Sequence, residues 1–136
     1  MKDLIDQRTI EGLRHYGDDA TQRYYQLLRD GEFKSTRCNA CGETAYPPRE
    51  FCPQCHCQVV SWVDLPREGT LYAFTTQDRA FRFIEPEVIG LVELDGVGRI
   101  LTHVKGTMAD LTIGQRVTFA LHTISEQLVV PSFESL

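Results

Sequence analysis

The chain has 136 residues, of which 42% are hydrophobic and 24% are charged, and its formal net charge is −5. This length fits one ordinary domain or two small ones that share a core, and it excludes a barrel enzyme of about 250 residues. Charged residues interrupt the N-terminal segment, so no signal peptide is visible, and no apolar run approaches the ~20 residues that a membrane helix needs. We therefore expect a cytoplasmic protein without a membrane partner.

Positive charge is not clustered anywhere in the sequence. Residues 1–37 hold seven charges of each sign, residues 38–65 hold one positive and three negative, and residues 66–136 hold six positive and nine negative. Nucleic-acid-binding surfaces depend on groups of Lys and Arg that neutralise phosphates. The acidic balance therefore argues against nucleic acid as a partner.

An amphipathic helix is predicted over residues 19–30. At about 100° per residue, the large apolar side chains share one face and the charged and amide side chains share the opposite one. Asp18 or Asp19 is expected to be the N-cap, and Gly31 stands where a left-handed residue commonly ends a helix. A further short helix is predicted within residues 1–17.

The apolar face of the predicted helix leaves two interpretations open. It either packs inside the chain, which is commoner for such a face, or docks on another subunit, for which tyrosines are well suited. Under the second interpretation, the candidate partner contacts are Tyr24, Tyr25 and Leu28.

Four of the five cysteines form two Cys-x-x-Cys pairs, which are Cys38 with Cys41 and Cys52 with Cys55. Thiolates at this spacing can close a tetrahedral site around zinc at about 2.3 Å per sulfur. Because the protein supplies all four ligands, no position remains for a catalytic water, and the zinc would be structural. Structural zinc binding of ~10–16 kcal/mol is comparable with the stability of a domain, so metal loss should unfold this segment. Iron fits the same sulfur cage, and two disulfides remain as an alternative.

The residues that follow the two cysteine pairs differ. Gly42 comes after Cys41, where a positive φ is often needed, and the matching position after Cys55 is occupied by His56. His56 and Cys57 could form a reactive pair or an alternative ligand set. We favour a solvent-facing histidine and a small buried thiol, because neighbouring side chains of an extended segment point to opposite faces.

Period-two alternation after the cysteines predicts six strands separated by turns. No helical pattern intervenes, so the last five strands suit a small antiparallel barrel of the OB type, and the predicted fold is mainly β with an N-terminal helix. The predicted strands cover residues 59–63, 70–77, 88–95, 99–106, 115–124 and 128–133. The predicted units are an N-terminal helical arm (1–37), a zinc ribbon (38–65) and a five-stranded antiparallel OB-fold barrel (66–136).

No catalytic residue is predicted in this chain. The sequence contains no G-x-S-x-G, no H-E-x-x-H and no Gly-rich phosphate loop. His15, His103 and His122 stand apart from one another, and the last two fall at outward positions of predicted strands, where we expect solvated histidines. Binding is therefore favoured over catalysis.

The loop between the first two predicted barrel strands carries two Phe and two Arg side chains. OB folds commonly bind ligands at their loops, and these side chains could stack on an adenine and meet phosphates, or could anchor in a partner's groove. The alternative is that the two phenylalanines close the end of the barrel. The candidate partner or coenzyme A contacts of this loop are Arg79, Phe81, Arg82 and Phe83.

A series of short motifs runs from the first cysteine pair to the penultimate predicted strand. In chain order they are Arg37-Cys38-x-x-Cys41-Gly42, Tyr46-Pro47-Pro48-Arg49, Cys52-Pro53-x-Cys55, Trp62, Glu68-Gly69-Thr70-Leu71-Tyr72-Ala73-Phe74-Thr75, Gly90-Leu91-Val92-Glu93-Leu94-Asp95-Gly96 and Ile113-Gly114-Gln115-Arg116-Val117. In this order the motifs resemble a known family, the acyl-CoA-associated proteins that pair a rubredoxin-like zinc ribbon with an OB-fold. The resemblance spans roughly residues 18–124, and His56 departs from the family's usual glycine.

The resemblance implies an accessory subunit of a thiolase-type enzyme that processes acyl-CoA. Such a subunit would stabilise its partner in a hetero-oligomer, would not be an enzyme by itself, and could line the coenzyme A or acyl site. The implied setting is the breakdown of fatty-acid-like, steroid or aromatic compounds. Two other functions stay open, a single-stranded nucleic-acid-binding module and a rubredoxin-like electron carrier that uses iron.

Overall fold

The computed structural model describes residues 19–77, 87–124, 126 and 128–136. The helix predicted within residues 1–17 and the loop residues Arg79, Phe81, Arg82 and Phe83 lie outside the described residues. The elements are α1 (Asp19–Arg29), β1 (Lys34–Cys38), β2 (Thr44–Ala45), β3 (Val60–Asp64), β4 (Glu68–Gln77), β5 (Glu87–Leu94), β6 (Gly98–Val104), β7 (Arg116–Thr123) and β8 (Val129–Ser135).

Helix α1 ends in a turn at the predicted glycine. Gly31 has a φ of +82°. Its backbone N–H donates to the carbonyl of Leu28 at 2.9 Å, and the N–H of Glu32 donates to the carbonyl of Leu27 at 2.9 Å. These two bonds satisfy carbonyls that the helix end would otherwise leave free.

The N-terminus of α1 is held by a side chain from the cysteine region. The helix begins at Asp19, which is therefore a helical residue and not the N-cap, and the other candidate cap, Asp18, lies outside the described residues. The backbone N–H of Asp19 donates to Glu50 Oε1 at 3.1 Å. A carboxylate at this end of a helix also interacts favourably with the helix dipole.

Strands β1, β2 and β3 form a three-stranded antiparallel sheet in the order β2–β1–β3. Cys38 is the last residue of β1 and pairs with Val60, so the sheet fixes the position of the first cysteine. Cys52 is buried in the segment that joins β2 to β3. The first predicted strand, residues 59–63, is present as β3 and is displaced by one residue.

Strands β4 to β8 form a closed barrel in the order β4–β5–β6–β8–β7, with β7 paired back onto β4. All five predicted barrel strands are present, and four of the five strand pairs are antiparallel, as predicted, whereas the fifth is not. Strands β6 and β8 run parallel, with His103 opposite Ser132 and Val104 opposite Phe133. A closed ring with an odd number of strands cannot alternate direction at every joint, so one parallel pair is unavoidable.

One hydrophobic core joins α1, the three-stranded sheet and the barrel. Phe33, which is 1% exposed, lies between α1 and β1 and makes edge-to-face contacts with Tyr46 and with Phe133 of β8. The buried members of the core are Tyr24, Leu28, Phe33, Leu65, Leu71, Val88, Val92, Leu94, Ile100, Val104, Leu111, Val117 and Phe133.

The apolar face of α1 packs inside the chain. Tyr24 is 5% exposed and Leu28 is 0% exposed, so neither offers a surface to a partner, which corrects their selection as candidate partner contacts. The hydroxyl groups of Tyr24 and Tyr46 are hydrogen-bonded at 2.8 Å, and burial raises the pKa of Tyr46 to about 12. Tyr25 remains partly exposed.

Within the described residues, α1 is too short and too polar to cross a membrane.

Candidate functional site

The four paired cysteines come together as the spacing predicts. Their Sγ atoms all lie within 4.8 Å of one another, with 3.5 Å between Cys38 and Cys55 and 3.5 Å between Cys41 and Cys52. A tetrahedral zinc ion with bonds of about 2.3 Å places its sulfurs about 3.8 Å apart, whereas a disulfide requires about 2.05 Å. The cysteines are unbonded to each other, and the cluster fits a metal ion.

The two cysteine pairs form knuckles with the same backbone geometry. In the first knuckle, the N–H groups of Cys41 and Ala40 point at Cys38 Sγ, at 3.4 and 3.3 Å. In the second knuckle, the N–H groups of Gln54 and Cys55 point at Cys52 Sγ in the same way, at 3.4 and 3.5 Å. The N–H of Cys41, followed by that of Ala40, lowers the pKa of the Cys38 thiol to about 6, and equivalent groups lower the pKa of Cys52. The neighbouring sulfurs of Cys52 and Cys38 raise the pKa of Cys41 and Cys55, respectively. Metals bind the thiolate, so this backbone arrangement favours metal binding.

His56 takes the backbone conformation that Gly42 takes in the first knuckle. The φ angles are +79° at Gly42 and +64° at His56. Each residue donates its N–H to the carbonyl of the first cysteine of its knuckle, at 3.0 Å to Cys38 and 2.9 Å to Cys52. Replacing the usual glycine by histidine therefore leaves the geometry of the knuckle intact.

The side chains of His56 and Cys57 have different surroundings. His56 is exposed, as the favoured interpretation predicts. Cys57 is partly exposed rather than buried, and its Sγ accepts a hydrogen bond from the N–H of Val59 at 3.5 Å. Cys57 does not belong to the four-sulfur cluster.

A second polar cluster forms where the sequence predicted isolated, solvated histidines. The rings of His103 on β6 and His122 on β7 are stacked, with centroids 3.9 Å apart and planes at 6°. His103 Nδ1 lies 2.7 Å from Ser132 Oγ, and His122 Nε2 lies 3.2 Å from Glu87 Oε1. The prediction is wrong because β8, the last strand of the chain, lies between β6 and β7 in the barrel and pairs with both, which brings the two histidines to the same region of the barrel surface.

The histidine pair borders an open cavity of about 530 Å³. Lys105, Thr107 and Met108 line the same cavity. Burial, followed by the proximity of His122 and Lys105, lowers the pKa of His103 to about 4. His103 is therefore a neutral imidazole at pH 7, with lone-pair chemistry available.

Exposed apolar side chains also lie on the outside of the barrel. Leu101 is 66% exposed and Tyr72 is 44% exposed. The guanidinium carbon of Arg99 lies 3.6 Å from the centre of the Tyr72 ring, and Arg99 is two residues from Leu101 on the same side of β6. We name Tyr72, Arg99 and Leu101 the outer barrel patch.

Comparison with known proteins assigns both parts of the chain. Residues 26–58 match the family model described as ChsH2, rubredoxin-like zinc ribbon domain. Residues 62–122 match the family model described as ChsH2, C-terminal OB-fold domain. The resemblance derived from the motifs is thus confirmed, and the four clustered cysteines belong to a zinc ribbon.

Relatives and solved structures extend the comparison over most of the chain. A DUF35 domain-containing scaffold protein of Methanocaldococcus jannaschii is 30% identical over 128 residues, which cover 90% of this chain and 83% of that protein. The solved chain described as Ltp2-ChsH2(DUF35) aldolase has the same fold, with a TM-score of 0.76 and 24% identity over 88% of this chain and 97% of that one. A DUF35-family protein of unknown function from Sulfolobus solfataricus has a TM-score of 0.63 and 16% identity, covering 95% of this chain and 97% of that one. The chain therefore belongs to the DUF35 family, with a rubredoxin-like zinc ribbon followed by an OB-fold barrel.

Proposed function

We propose that this chain is a non-catalytic scaffold subunit of a thiolase-type enzyme complex that processes acyl-CoA. The observation that carries the proposal is the similarity to a scaffold protein over 90% of the chain. The resemblance of the motifs to acyl-CoA-associated proteins supports a thiolase-type partner, and the fold shared with a chain of an aldolase supports a partner that is an enzyme. The breakdown of fatty-acid-like, steroid or aromatic compounds is the setting that we propose.

The ribbon would hold the scaffold together through structural zinc. We propose Cys38, Cys41, Cys52 and Cys55 as the ligands, since their sulfurs are the right distance apart for a tetrahedral ion. Four protein ligands leave no open position on such an ion, so the metal would shape the ribbon rather than activate a substrate. This role agrees with a scaffold.

The outer barrel patch is our proposed contact with the partner among the described residues. Leu101 and Tyr72 expose large apolar side chains, and Arg99 adds a guanidinium against the tyrosine ring. Tyrosine, arginine and large apolar side chains are typical of the centres of protein interfaces. Tyr25 lines a neighbouring groove of about 250 Å³ that also includes Leu101, so it is a further candidate contact.

Coenzyme A binding is a separate part of the proposal. We propose that Arg79, Phe81, Arg82 and Phe83 contact coenzyme A or the partner, with the arginines meeting phosphates and a phenylalanine stacking on adenine. Coenzyme A should bind the complex more weakly when both arginines are replaced by alanine. Equal affinity of the double variant and the wild type would remove this loop from the proposal.

The scaffold role is tested by co-expressing the chain with a thiolase-type protein from the same organism. We expect a stable complex on size-exclusion chromatography and higher activity of the partner in the complex than alone. Leu101→Asp should weaken the complex about tenfold or more, because it places a charge in an apolar contact. Val59→Asp is the matched control, since Val59 is 59% exposed but lies in the ribbon, outside the barrel.

Two outcomes would contradict the proposal. A partner that is fully active and equally stable without this chain would show that no scaffold is needed. Equal effects of Leu101→Asp and Val59→Asp on the complex would remove the outer barrel patch as the contact surface.

A further inference from the structure

We propose that Glu87, His103 and His122 form a second metal site, which binds a divalent transition-metal ion independently of the zinc ribbon and of any partner. The three side chains come from three strands, β5, β6 and β7. One ligand atom from each lies within 4.8 Å of the other two. The site is thus distinct from the four-sulfur cluster in both position and ligand type.

Two of the three ligands already have the separation that a shared ion requires. His122 Nε2 lies 3.2 Å from Glu87 Oε1, within hydrogen-bond distance. Since a carboxylate only accepts, Nε2 carries a proton in this contact, and an ion bound here would replace that proton, which would be released to solvent. Two ligand atoms at about 2.05 Å from a tetrahedral ion are about 3.3 Å apart. Both side chains are partly buried, with 28% of His122 and 17% of Glu87 exposed.

Ser132 orients the third ligand. Its Oγ lies 2.7 Å from His103 Nδ1, and Ser132 itself is 0% exposed. Metal-binding histidines commonly engage their second ring nitrogen in a hydrogen bond that fixes the orientation of the ring. With Nδ1 engaged by Ser132, Nε2 is the nitrogen of His103 that is left to bind the ion. Ser132 is therefore a positioning residue of this site.

Binding requires one small rearrangement, for which there is space. Stacked rings with an interplanar angle of 6° cannot both aim a lone pair at one ion, so one ring must tilt. The cavity of about 530 Å³ borders both rings and accommodates this movement. Lys105 lines the same cavity, and its positive charge opposes a cation, so the second site should bind its ion more weakly than the ribbon does.

The ligand set selects the class of ion. Two imidazoles and one carboxylate suit zinc, iron(II), cobalt or nickel, whereas calcium and magnesium require oxygen ligands. Three protein ligands leave at least one position open toward the cavity, for water or for a ligand atom of another molecule. The site thus differs from the closed ribbon site in its capacity to bind a further group.

The test uses the full chain with its ribbon metal in place and Zn²⁺ alone as the probe. Equilibrium dialysis of the wild type should give two zinc ions per chain, and His103→Ala should give one. Ser132→Ala should weaken the second site by about 10–100-fold without removing it, as expected for a positioning residue. His15→Ala is the matched control, because it removes a histidine that belongs neither to the proposed site nor to the ribbon knuckles, and it should retain two ions.

Ring resonances of the wild-type protein give a second readout that does not depend on the folding of a variant. The second equivalent of Zn²⁺ should shift the NMR signals of the His103 and His122 rings and leave those of His56 unchanged. One zinc ion per chain in the wild type, unchanged signals of His103 and His122, or loss of the second ion in His15→Ala would each overturn the proposal.

Discussion

The ring of Phe33 stacks on the ring of Phe119, with centroids 4.4 Å apart and planes at 14°. Phe33 lies in the connection between α1 and the three-stranded sheet, and Phe119 lies in barrel strand β7. The edge-to-face contacts of Phe33 with Tyr46 and Phe133 extend the cluster to the ribbon and to β8. One side chain thus couples the helix, the ribbon and the barrel.

Removing this ring should destabilise the whole protein. Phe33→Ala should lower the free energy of unfolding by about 3–5 kcal/mol, since Phe33 is 1% exposed and its removal leaves a cavity. Denaturant titration measures the change. Phe51→Ala is the control, because Phe51 is 47% exposed and its loss should change stability by less than about 0.5 kcal/mol. Similar losses in the two variants would contradict the coupling role of Phe33.

The ribbon metal should depend on Cys52 and not on Cys57. Cys52→Ala removes a ligand of the four-sulfur cluster and should abolish tight binding of the ribbon metal, whereas Cys57→Ser should retain it. Metal analysis of the purified proteins measures both results and identifies the ion. We expect colourless protein with zinc in the ribbon. Red protein with iron in this site would instead support an electron carrier.

Stability should change in opposite directions when a side chain is added at Gly42 in the first knuckle and removed at His56 in the second. Gly42→Ala should destabilise the metal-loaded protein by about 1 kcal/mol, because a side chain is strained at a φ of +79°. His56→Gly relieves the same strain at +64° but gives the unfolded chain more freedom, so stability should stay equal or rise by up to about 1 kcal/mol. Thermal unfolding compares the variants. Equal destabilisation of both would show that the His56 side chain itself stabilises the knuckle.

Gly90 marks a close approach between barrel strands. A Cβ atom at this position would lie 2.7 Å from the carbonyl oxygen of Ala73 and 3.1 Å from a methyl group of Val104. Gly90→Ala should therefore lower the free energy of unfolding by about 1–3 kcal/mol. Glu93→Ala, on the exposed face of the same strand, should change it by less than about 0.5 kcal/mol, and an equally mild effect at Gly90 would contradict the crowding.

Local patterns predicted the parts of the fold that depend on short segments. The spacing of Cys38, Cys41, Cys52 and Cys55 predicted the four-sulfur cluster, because each knuckle is built from consecutive residues. Alternation predicted the barrel strands, and Gly31 marked the end of the helix.

Features that depend on distant segments were not predicted. The pair of His103 and His122 requires the order of non-consecutive strands, which alternation does not contain. The role of Phe33 depends on the packing of three elements against one ring. The parallel joint between β6 and β8 could have been inferred, since five strands in a closed ring require it.

Strands β6 and β8 share two residue pairs in register, whereas β5 and β6 share seven. Few hydrogen bonds join β6 to β8 at this position, which we call the β6–β8 seam. Local separation of these two strands requires less free energy than global unfolding. Deuterium should therefore replace the amide proton of Lys105, which donates to the carbonyl of Phe133 at 2.8 Å across this seam, before those in the middle of β5. A transient gap at this position would open the barrel wall beside Ser132 while the rest of the sheet stays paired.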